Sequence, residues 1–333
     1  MKINYVDIVC GLAWGDEAKG KITSHLASLG NYDYVCRWAG GNNAGHTVYI
    51  NNKKLKTHLI PSGVFYGIKS VIGPGCVLNV KSFYEEIEYL NTYGFDTSLI
   101  KVSPKVHIVT EEHLEEDIKK YHKKLGTTAK GIAPCYSTKM ARTGVRAESV
   151  LEESFIWNEK LSGNILCEGA QGFWLDIDYG NYPYVTSSST LPYAACSLGF
   201  PPQKIRKIFG AAKVYDTRSG VDPDFSEKLL YDLELSLIGE KGQEYGVTTG
   251  RRRKVNWLNL DKLIKAINIS GTTDIIFSKV DILKEVNLYK LIYKKQIVEF
   301  HTMDDMKFLI NNILKSKCEC LSIITYSSSP KSI

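Results

Sequence analysis

A short glycine- and lysine-containing loop near the N-terminus constrains the fold of this chain more than any other feature. Residues 14–22 read W-G-D-E-A-K-G-K-I, and Gly15, Gly20 and Lys21 have the G-x-x-x-x-G-K spacing of a phosphate-binding loop. A β-prone apolar run precedes the loop, and residues 21–29 have helical spacing. The loop therefore joins a strand to a helix, where backbone N–H groups and a helix N-terminus point at an anion.

One position of this loop differs from a true P-loop. Ile22 occupies the place where a Ser or Thr hydroxyl would bind magnesium, and its hydrocarbon side chain has no atom that coordinates a metal. The acidic pair Asp16 and Glu17 is the nearest source of oxygen ligands for a hard cation such as Mg2+. Taken alone, the loop is equally compatible with a phosphate site and with a glycine-rich turn that binds nothing. The remaining motifs decide between these two readings.

Composition argues against several classes of partner. The chain has 333 residues and a formal net charge of +6, without a Lys/Arg block dense enough for a nucleic-acid groove. Its eight cysteines include one close pair, Cys318 and Cys320, which lacks the second pair or histidine of a zinc site. No apolar run approaches the ~20 residues of a membrane span. We therefore expect reduced thiols, no nucleic-acid or membrane partner, and a cytoplasmic location, in a host cell if the chain is viral.

Strand-like and helix-like segments alternate along the chain, as is typical of an α/β fold around a mainly parallel sheet. We predict a P-loop-like fold with this sheet at its centre and helices on its faces, in a single domain covering residues 1–333. Two polar turns, Asn51-Asn52 and Lys294-Lys295, predict hairpins added to the core. The predicted strands are 34–37, 70–72, 99–102, 164–167, 208–215, 274–280 and 320–326, and the predicted helices are 80–93, 111–125, 258–268 and 304–315.

Four further clusters carry groups suited to nucleotide recognition. Residues 40–47 (G-G-N-N-A-G-H-T) combine flexible backbone, amides and an imidazole after a predicted strand. Residues 126–131 (G-T-T-A-K-G), and 168–172 (E-G-A-Q-G) followed by 182–188 (Y-P-Y-V-T-S-S), supply hydroxyl and amide donors. Gly and Thr are also common in turns that bind nothing. Residues 248–253 (T-T-G-R-R-R) place three guanidinium groups beside two hydroxyls, which suits carboxylate and phosphate groups.

One carboxylate is suited to reading a base. Asp281 follows a Val/Ile/Phe-rich strand in the sequence S-K-V-D. An aspartate accepts hydrogen bonds from N1–H and the 2-amino group of guanine together, and adenine offers no such pair of donors. A basic run as short as residues 251–253 also occurs in nuclear-localisation and nucleic-acid-binding segments, which is the alternative interpretation of that cluster.

In their order and coverage, these motifs resemble those of the adenylosuccinate synthetase family. The resemblance implies a ligase of purine biosynthesis that joins L-aspartate to IMP, with GTP as phosphoryl donor and Mg2+ as metal. The non-enzyme alternative is a nucleotide-binding regulator that kept the fold without turnover, and the presence of both Asp16 and His46 argues against it. The matching elements are W-G-D-E-x-K-G-K at 14–21, N-A-G-H-T at 43–47, I-P-S-G at 60–63, G-T-T at 126–128, E-G-A-Q-G at 168–172, Y-P-Y-V-T-S-S at 182–188, T-T-G-R-R-R at 248–253 and K-x-D at 279–281.

The resemblance implies a catalytic set at the matching positions. Asp16 would remove the N1 proton of the purine so that O6 attacks the γ-phosphate, and it would bind Mg2+ together with the backbone carbonyl of Gly45. His46 would stabilise or protonate the transferring phosphoryl group, and Gln171 would act at the purine nucleotide. These roles suit phosphoryl transfer, which depends on positioning and charge compensation more than on covalent help.

The resemblance also implies three sets of binding residues and a homodimer, because one arginine of the purine-nucleotide set would reach the phosphate from the other subunit. The purine-nucleotide set is Asn43, Thr128, Arg142, Gln171, Thr186 and Ser219, with Arg142 as the residue from the other subunit. The L-aspartate set is Thr248, Thr249 and Arg251, and the GTP set is Gly15, Glu17, Lys19, Gly20, Lys21, Arg253, Lys279 and Asp281.

Several departures from the family pattern bear on the phosphate loop and on the donor. Ala18 and Ala129 stand at positions where the family carries glycine, and an alanine has less backbone freedom than glycine. The C-terminal segment 324–330 lacks the T-G-P sequence that lies beside the guanine ring in the family. ATP is therefore retained as an alternative donor to GTP.

A second departure bears on the acceptor. Residues 217–223 read T-R-S-G-V-D-P where the family usually reads T-R-V-G-A-G-P. Asp222 would either accept from the 2-amino group of dGMP, which IMP lacks, or point to solvent on a variable loop. Ser219 would crowd a ribose 2′-hydroxyl and favour deoxyribose. A phage branch of the family converts dGMP to the 2-aminoadenine precursor, so dGMP is the alternative acceptor to IMP.

Overall fold

The fold is organised around one large sheet. The computed structural model describes residues 2–50, 53–246 and 250–329. The strands are β1 (Ile3–Gly11), β2 (Tyr34–Arg37), β3 (His46–Ile50), β4 (Lys53–Thr57), β5 (Lys69–Ile72), β6 (Val77–Leu78), β7 (Ile100–Val102), β8 (His107–Ile108), β9 (Gly163–Glu168), β10 (Ile205–Lys213), β11 (Tyr215–Arg218), β12 (Lys254–Asn259), β13 (Asp274–Ser278), β14 (Lys290–Tyr293), β15 (Gln296–Glu299) and β16 (Ile323–Tyr326). The helices are α1 (Lys19–Ser28), α2 (Val80–Thr92), α3 (Glu111–Glu116), α4 (Lys123–Leu125), α5 (Ile132–Ala141), α6 (Leu233–Lys241), α7 (Leu260–Ser270), α8 (Val280–Val286) and α9 (Met303–Lys317).

The central sheet has eight strands in the order β16-β13-β10-β1-β9-β2-β5-β7, and every neighbouring pair in it is parallel. The predicted α/β fold with a parallel sheet is therefore confirmed. β1 lies inside the sheet and is buried on both faces, with Val6 and Ile8 in one apolar cluster and Val9 in another. Burial of both faces explains why this strand reads as an apolar run without alternation.

Both predicted hairpins flank the core. β3 pairs with β4, and β14 pairs with β15, each in antiparallel register. Lys294 and Lys295 connect the second pair with φ angles of +52° and +63°, which match the type I′ turn of two-residue hairpins. The turn residues Asn51 and Asn52 lie outside the described residues. No helix in the described ranges is long and apolar enough to cross a membrane.

Some predicted boundaries are wrong. The strand predicted at 208–215 divides, because β10 ends at Lys213 and β11 belongs to a second sheet with the order β11-β12-β14-β15. The strand predicted at 274–280 ends at Ser278, because Lys279 has a φ of +68° and Val280 begins α8. α5 and α6 were not predicted, since neither carries a clear polar-apolar stripe along its sequence.

Candidate active site

The carboxyl ends of three central strands meet beside a cavity of about 390 Å3. Val9 of β1 and Arg37 of β2 both lie opposite Glu168 of β9, so the loops that follow these strands leave the sheet side by side. Ligands of open α/β sheets bind at this edge. The structure thus brings together motifs that are far apart in the sequence. The predicted site residues that line the cavity are Gly15, Asp16, Lys19, Asn43, Gly45, His46, Thr128, Gln171, Thr186, Ser219 and Arg251.

Glu17 organises the phosphate loop from the inside. Its side chain is buried, and its carboxylate accepts hydrogen bonds from the backbone N–H of Ala13 (3.0 Å) and of Gly15 (2.7 Å) and from Lys19 Nζ (2.8 Å). A Cβ on Gly172 would overlap this carboxylate, so only glycine fits against it. Glu17 therefore shapes the loop, and its predicted contact with GTP stays a prediction.

Two alanines adopt backbone angles typical of glycine. Ala18, which precedes α1, has a φ of +70°, and Ala129 has a φ of +55°. The left-handed region costs a residue with a Cβ about 1–2 kcal/mol. Both alanines stand at the positions where the resemblance implies glycine, so the loops keep a glycine-like conformation at the expense of local strain.

Replacing Ala18 with glycine is expected to stabilise the protein by about 0.5–1 kcal/mol, because the relief of strain exceeds the entropy that glycine adds to the unfolded chain. Urea denaturation measures the free energy of unfolding. The control is Ala27→Gly within α1, which should destabilise by about 1 kcal/mol or more. An Ala18→Gly protein less stable than wild type would contradict the assignment of strain to this residue.

His46, which lines the cavity, is paired with a fully buried carboxylate, that of Glu168. His46 and Glu168 are 6% and 0% exposed, and His46 Nδ1 is hydrogen-bonded to Glu168 Oε1. Burial raises the pKa of Glu168, but His46, Arg37 and the N–H of Ser62 outweigh it and hold that pKa below its usual value. Burial lowers the pKa of His46, against the opposing effect of Glu168. A neutral imidazole thus donates Nδ1–H to an ionised carboxylate, which fixes the tautomer and leaves Nε2 for a ligand.

Two glycines make room for cavity side chains. A Cβ on Gly20 would lie 2.8 Å from the Cβ of His46, and a Cβ on Gly40 would lie 3.1 Å from Gln171 Oε1. Gln171 has a φ of +54°, and its buried Oε1 has no hydrogen-bond partner among the described residues. An unsatisfied buried acceptor costs about 1–3 kcal/mol. Gln171 also lines the cavity, so its side chain lies close to a ligand bound there.

A helical segment that was predicted at 111–125 shapes another wall. α3 and α4 are joined by a π-helical stretch, Asp117–His122, and such stretches often occur at functional sites. Asp117 is buried and accepts hydrogen bonds from Thr127 Oγ1 (2.6 Å) and from the backbone N–H of Gly131 (2.9 Å). These bonds hold the G-T-T loop so that Thr128 faces the cavity.

Asp16 ends a chain of buried charges. Its Oδ2 lies 2.8 Å from Arg253 Nε, and Arg253 NH1 lies 2.6 Å from Glu244 Oε2. Glu244 also accepts from Lys213 Nζ (2.9 Å) and from the Tyr215 hydroxyl (2.8 Å). Burial raises the pKa of Glu244, but Lys213, Arg253 and a nearby lysine outweigh it and hold the pKa at about 2. The ionised Glu244 thus anchors the guanidinium group that contacts Asp16.

A second buried carboxyl group, that of Asp216, has a raised pKa, whereas the pKa of Glu244 is lowered. Asp216 of β11 accepts a 2.8 Å hydrogen bond from the backbone N–H of Asn259, which precedes α7. Burial raises the pKa of Asp216 to about 7. Because its pKa in the unfolded chain is about 3.9, the folded protein binds this proton more tightly. The resulting stabilisation is complete below about pH 4 and is lost as the pH rises through 7.

Asp216→Asn is therefore expected to stabilise the protein more at pH 8 than at pH 5, by about 1–3 kcal/mol. Asparagine keeps an oxygen acceptor for the N–H of Asn259 without a charge that must be buried. Denaturation at the two pH values measures the difference. The exposed Asp304 provides the control, since Asp304→Asn should show the same pH dependence as wild type. An equal effect of Asp216→Asn at both pH values would contradict the raised pKa.

Three of the residues predicted to bind GTP, Lys21, Lys279 and Asp281, are not among the cavity-lining residues. Lys21 Nζ donates to Ser327 Oγ (2.5 Å) and to the carbonyl oxygen of Ser329. Burial lowers the pKa of Lys21 to about 8, against the opposing charge of Asp281. Lys279 Nζ donates a 2.7 Å hydrogen bond to the backbone carbonyl of Gly242. Lys21, Lys279, Asp281 and the C-terminal segment therefore lie close together, and the guanine-binding role of Lys279 and Asp281 stays a prediction.

Asp222 has neither of the orientations that were predicted for it. The residue is 4% exposed and is not among the cavity-lining residues. Its carboxylate accepts hydrogen bonds from Trp14 Nε1 (3.0 Å), Asn181 Nδ2 (2.8 Å) and the N–H of Asp224 (3.0 Å). A carboxylate that is buried and already paired meets neither a purine 2-amino group nor solvent. Ser219 does line the cavity.

The other predicted residues have different outcomes. Arg142 is exposed at the end of α5 and does not line the cavity of its own chain, which is compatible with a role in a second subunit. Thr248 and Thr249 lie outside the described residues. The sequence analysis did not predict that Glu168 pairs with His46 or that Glu244 pairs with Arg253. A carboxylate at the end of a buried strand could have pointed to Glu168, whereas no feature of the sequence points to Glu244.

Comparisons with known proteins identify the family. The model of the family described as adenylosuccinate synthetase matches residues 8–162 and 153–312. The chain is 36% identical to the adenylosuccinate synthetase of Brevibacillus brevis over 374 positions, which cover 94% of this chain and 85% of the relative. It is 39% identical to that of Clostridium botulinum strain Hall over 344 positions, which cover 85% and 79%.

Two solved structures share the fold. Fully ligated adenylosuccinate synthetase from Plasmodium falciparum has a TM-score of 0.82 at 29% identity, over 98% of each chain. The succinoaminodeoxyadenylate synthetase of cyanophage S-2L, bound to dGMP and dATP, has a TM-score of 0.75 at 17% identity, over 99% of this chain and 94% of that chain. The second likeness, at so low an identity, concerns the fold alone.

Fold and cavity together define an α/β protein with a cavity at the carboxyl edge of a parallel sheet, where such sheets bind ligands. The relatives make the class specific: the chain belongs to the adenylosuccinate synthetase family. It is therefore a GTP-dependent ligase of purine biosynthesis, of the kind that forms adenylosuccinate from IMP and L-aspartate.

Proposed function

We propose that the residues of this cavity perform the ligase reaction in two steps. Asp16 removes the N1 proton of IMP, and the purine O6 then attacks the γ-phosphorus of GTP. The new O6–phosphorus bond forms as the bond to the β–γ bridging oxygen breaks, and GDP leaves. The amine of L-aspartate next attacks C6; as the C–N bond forms, the C6–O6 bond breaks, and phosphate leaves with O6 and takes up one proton from the amine. The observation that carries this proposal is that Asp16 and His46 line one cavity, with His46 hydrogen-bonded to the buried Glu168.

His46 and Gln171 act on the phosphoryl group and the purine in this proposal. A proton taken up at His46 Nε2 would be donated to an oxygen of the transferring phosphoryl group, and the ionised Glu168 would stabilise the imidazolium. The unpaired Oε1 of Gln171 would accept a hydrogen bond from the purine nucleotide. Asn43, Thr128, Thr186 and Ser219 complete the purine-nucleotide site, and Arg251 with Thr248 and Thr249 binds L-aspartate.

The donor residues support GTP. Asp281 would accept from the guanine edge beside Lys279, and the loop residues Gly15, Lys19, Gly20, Lys21 and Arg253 would contact the triphosphate, with Glu17 holding the loop. ATP would leave the Asp281 carboxylate without donors and facing the N1 lone pair of adenine, which costs about 1–3 kcal/mol.

Mg2+ is proposed as the metal. The described residues contain no group of three or more His, Cys, Asp or Glu side chains that could hold a metal ion. This suits Mg2+, which is commonly bound through one or two carboxylates and substrate phosphates. The side chain of Asp16 is 30% exposed beside the cavity, and it would hold the ion together with the carbonyl of Gly45. The bound ion would neutralise charge on the phosphates.

A homodimer and a cytoplasmic location complete the proposal. Arg142 is exposed at the end of α5, outside the cavity lining of its own chain. We propose that it reaches the acceptor phosphate in a second copy of the chain. If the chain is viral, the proposed location is the host cytoplasm.

IMP is the proposed acceptor, and dGMP is the second candidate because the cyanophage enzyme of this fold was solved with dGMP. Asp222 does not support dGMP, since its carboxylate is paired away from the cavity. Phosphate release in the presence of GTP, Mg2+ and L-aspartate, measured as kcat/KM for IMP, GMP, dGMP and dIMP, tests the proposal. Preference for IMP supports it, preference for dGMP supports the second candidate, and no turnover with any acceptor contradicts both.

A further inference from the structure

Asp222 is a buried carboxylate that joins three segments of the cavity wall. Its Oδ2 accepts from Trp14 Nε1, the residue before Gly15 and Asp16. Its Oδ1 accepts from Asn181 Nδ2, the residue before the Y-P-Y-V-T-S-S loop. Asp222 itself follows the cavity-lining residues 218–220. One side chain therefore connects the phosphate loop to two loops of the purine-nucleotide site.

The partners of Asp222 are themselves held in place. Trp14 is buried, stacks on Trp174 at a ring-centroid distance of 5.8 Å and packs edge-on against Phe225 at 4.8 Å. Asn181 Nδ2 also donates to Asp224 Oδ2 at 2.6 Å. The hydrogen bonds of Asp222 are thus made to groups with little freedom to move. The hydrogen bonds of Asp222 to Trp14 and Asn181 therefore restrict how the loops that carry these residues move relative to each other.

Asp222 also supplies counter-charge to a buried arginine that lines the cavity. Arg218 Nε lies 3.8 Å from Asp222 Oδ2, with side-chain exposures of 13% and 0%. Arg218 NH2 donates to the carbonyl of Tyr184 at 3.0 Å, and Nε has no hydrogen-bond partner among the described residues. A buried guanidinium without a nearby carboxylate is costly, so Asp222 keeps Arg218 against the wall.

We propose that Asp222 is a positioning residue for acceptor binding: its carboxylate fixes Trp14, Asn181 and Arg218 relative to one another, so that the purine-nucleotide subsite is formed before the ligand arrives. A preformed subsite lowers the ordering cost of binding. The inference rests on the proposed function, because acceptor binding is its readout.

The test compares steady-state KM values for IMP, GTP and L-aspartate in Asp222→Gly, Asp222→Asn, Trp14→Phe and Asp222→Gly/Trp14→Phe. Trp14→Phe removes the indole N–H and keeps an aromatic ring in the stack. The matched control is Glu227→Gln, an exposed carboxylate nearby in sequence that pairs with Lys254. Thermal denaturation without ligands establishes that each variant is folded. If Asp222→Gly does not fold, the two single variants Asp222→Asn and Trp14→Phe provide the test.

We expect Asp222→Gly to raise KM for IMP about 10-fold, with the other two KM values within about 3-fold of wild type. Asp222→Asn, which keeps one acceptor oxygen, should raise it about 3-fold. Trp14→Phe should also raise it about 3-fold in the wild-type background and less than about 1.5-fold in the Asp222→Gly background, because the shared contact is already lost. Glu227→Gln should match wild type.

Two results would overturn the inference: an unchanged KM for IMP in the Asp222 variants, or an equal rise in all three KM values, which would indicate a general structural role. A wild-type protein that turns over none of the acceptors would instead contradict the proposed function. The two failures are therefore distinguishable.

Discussion

Asp16→Asn is expected to lower kcat by at least about 10^3-fold, because in the proposed mechanism the residue must accept the N1 proton and provide a carboxylate for the metal, and asparagine does neither. The fold should tolerate the change, since the Asp16 side chain is 30% exposed and its described ion pair is with Arg253, which Glu244 also holds. The measurement is kcat for phosphate release with IMP, together with the free energy of unfolding, which should stay within about 1 kcal/mol of wild type.

The matched control for this prediction is Asp178→Asn. Asp178 is an exposed carboxylate next to the cavity-lining Ile177, so its substitution removes the same charge from the same region. It should leave kcat within about 2-fold of wild type. Residual activity of Asp16→Asn within about 10-fold of wild type would rule out Asp16 as the base.

Much of the central sheet follows from local sequence, because its inner strands are buried on both faces. β1, β2 and β9 read as short apolar runs, and their order with the intervening helices predicts a parallel sheet. The break after Ser278 could not be predicted, since it depends on a φ of +68° at Lys279, and a lysine gives no sign of such an angle.

The site was predictable where loops follow strands and unpredictable where it depends on side-chain direction. Asp16 and His46 line the cavity because their loops leave the carboxyl edge of the sheet. Glu17 belongs to the same motif but points inward to bind the backbone of its own loop. Asp222 likewise turns away from the cavity toward Trp14. The direction of Asp222 is decided by a contact with a residue 208 positions away, and that of Glu17 by the folded shape of its own loop, neither of which the local residue pattern encodes.

Glu168→Gln is expected to lower kcat about 10^2-fold with little change in KM for IMP, and His46→Ala should lower it further, to about 10^3-fold below wild type. The physical reason is the same for both. Burial lowers the pKa of His46, which favours the neutral imidazole at neutral pH, and in the proposed mechanism this imidazole takes up a proton at Nε2 and donates it to the phosphoryl oxygen. The ionised Glu168, hydrogen-bonded to Nδ1, stabilises the resulting imidazolium, whereas a neutral glutamine does not.

His46→Ala should lower the free energy of unfolding more than Glu168→Gln does, so stability measurements separate an effect on catalysis from an effect on structure. His46→Ala leaves the buried Glu168 carboxylate with Ser62 and without its imidazole partner, so it should cost about 1–3 kcal/mol of unfolding free energy. Glu168→Gln keeps an acceptor for Nδ1–H and should cost less. Ser62→Ala is the control, because it removes one 3.2 Å hydrogen bond to Glu168 without touching His46, and kcat should fall less than about 3-fold. If Glu168→Gln lowered kcat no more than Ser62→Ala does, the carboxylate would serve to hold His46 in place and its charge would have no part in phosphoryl transfer.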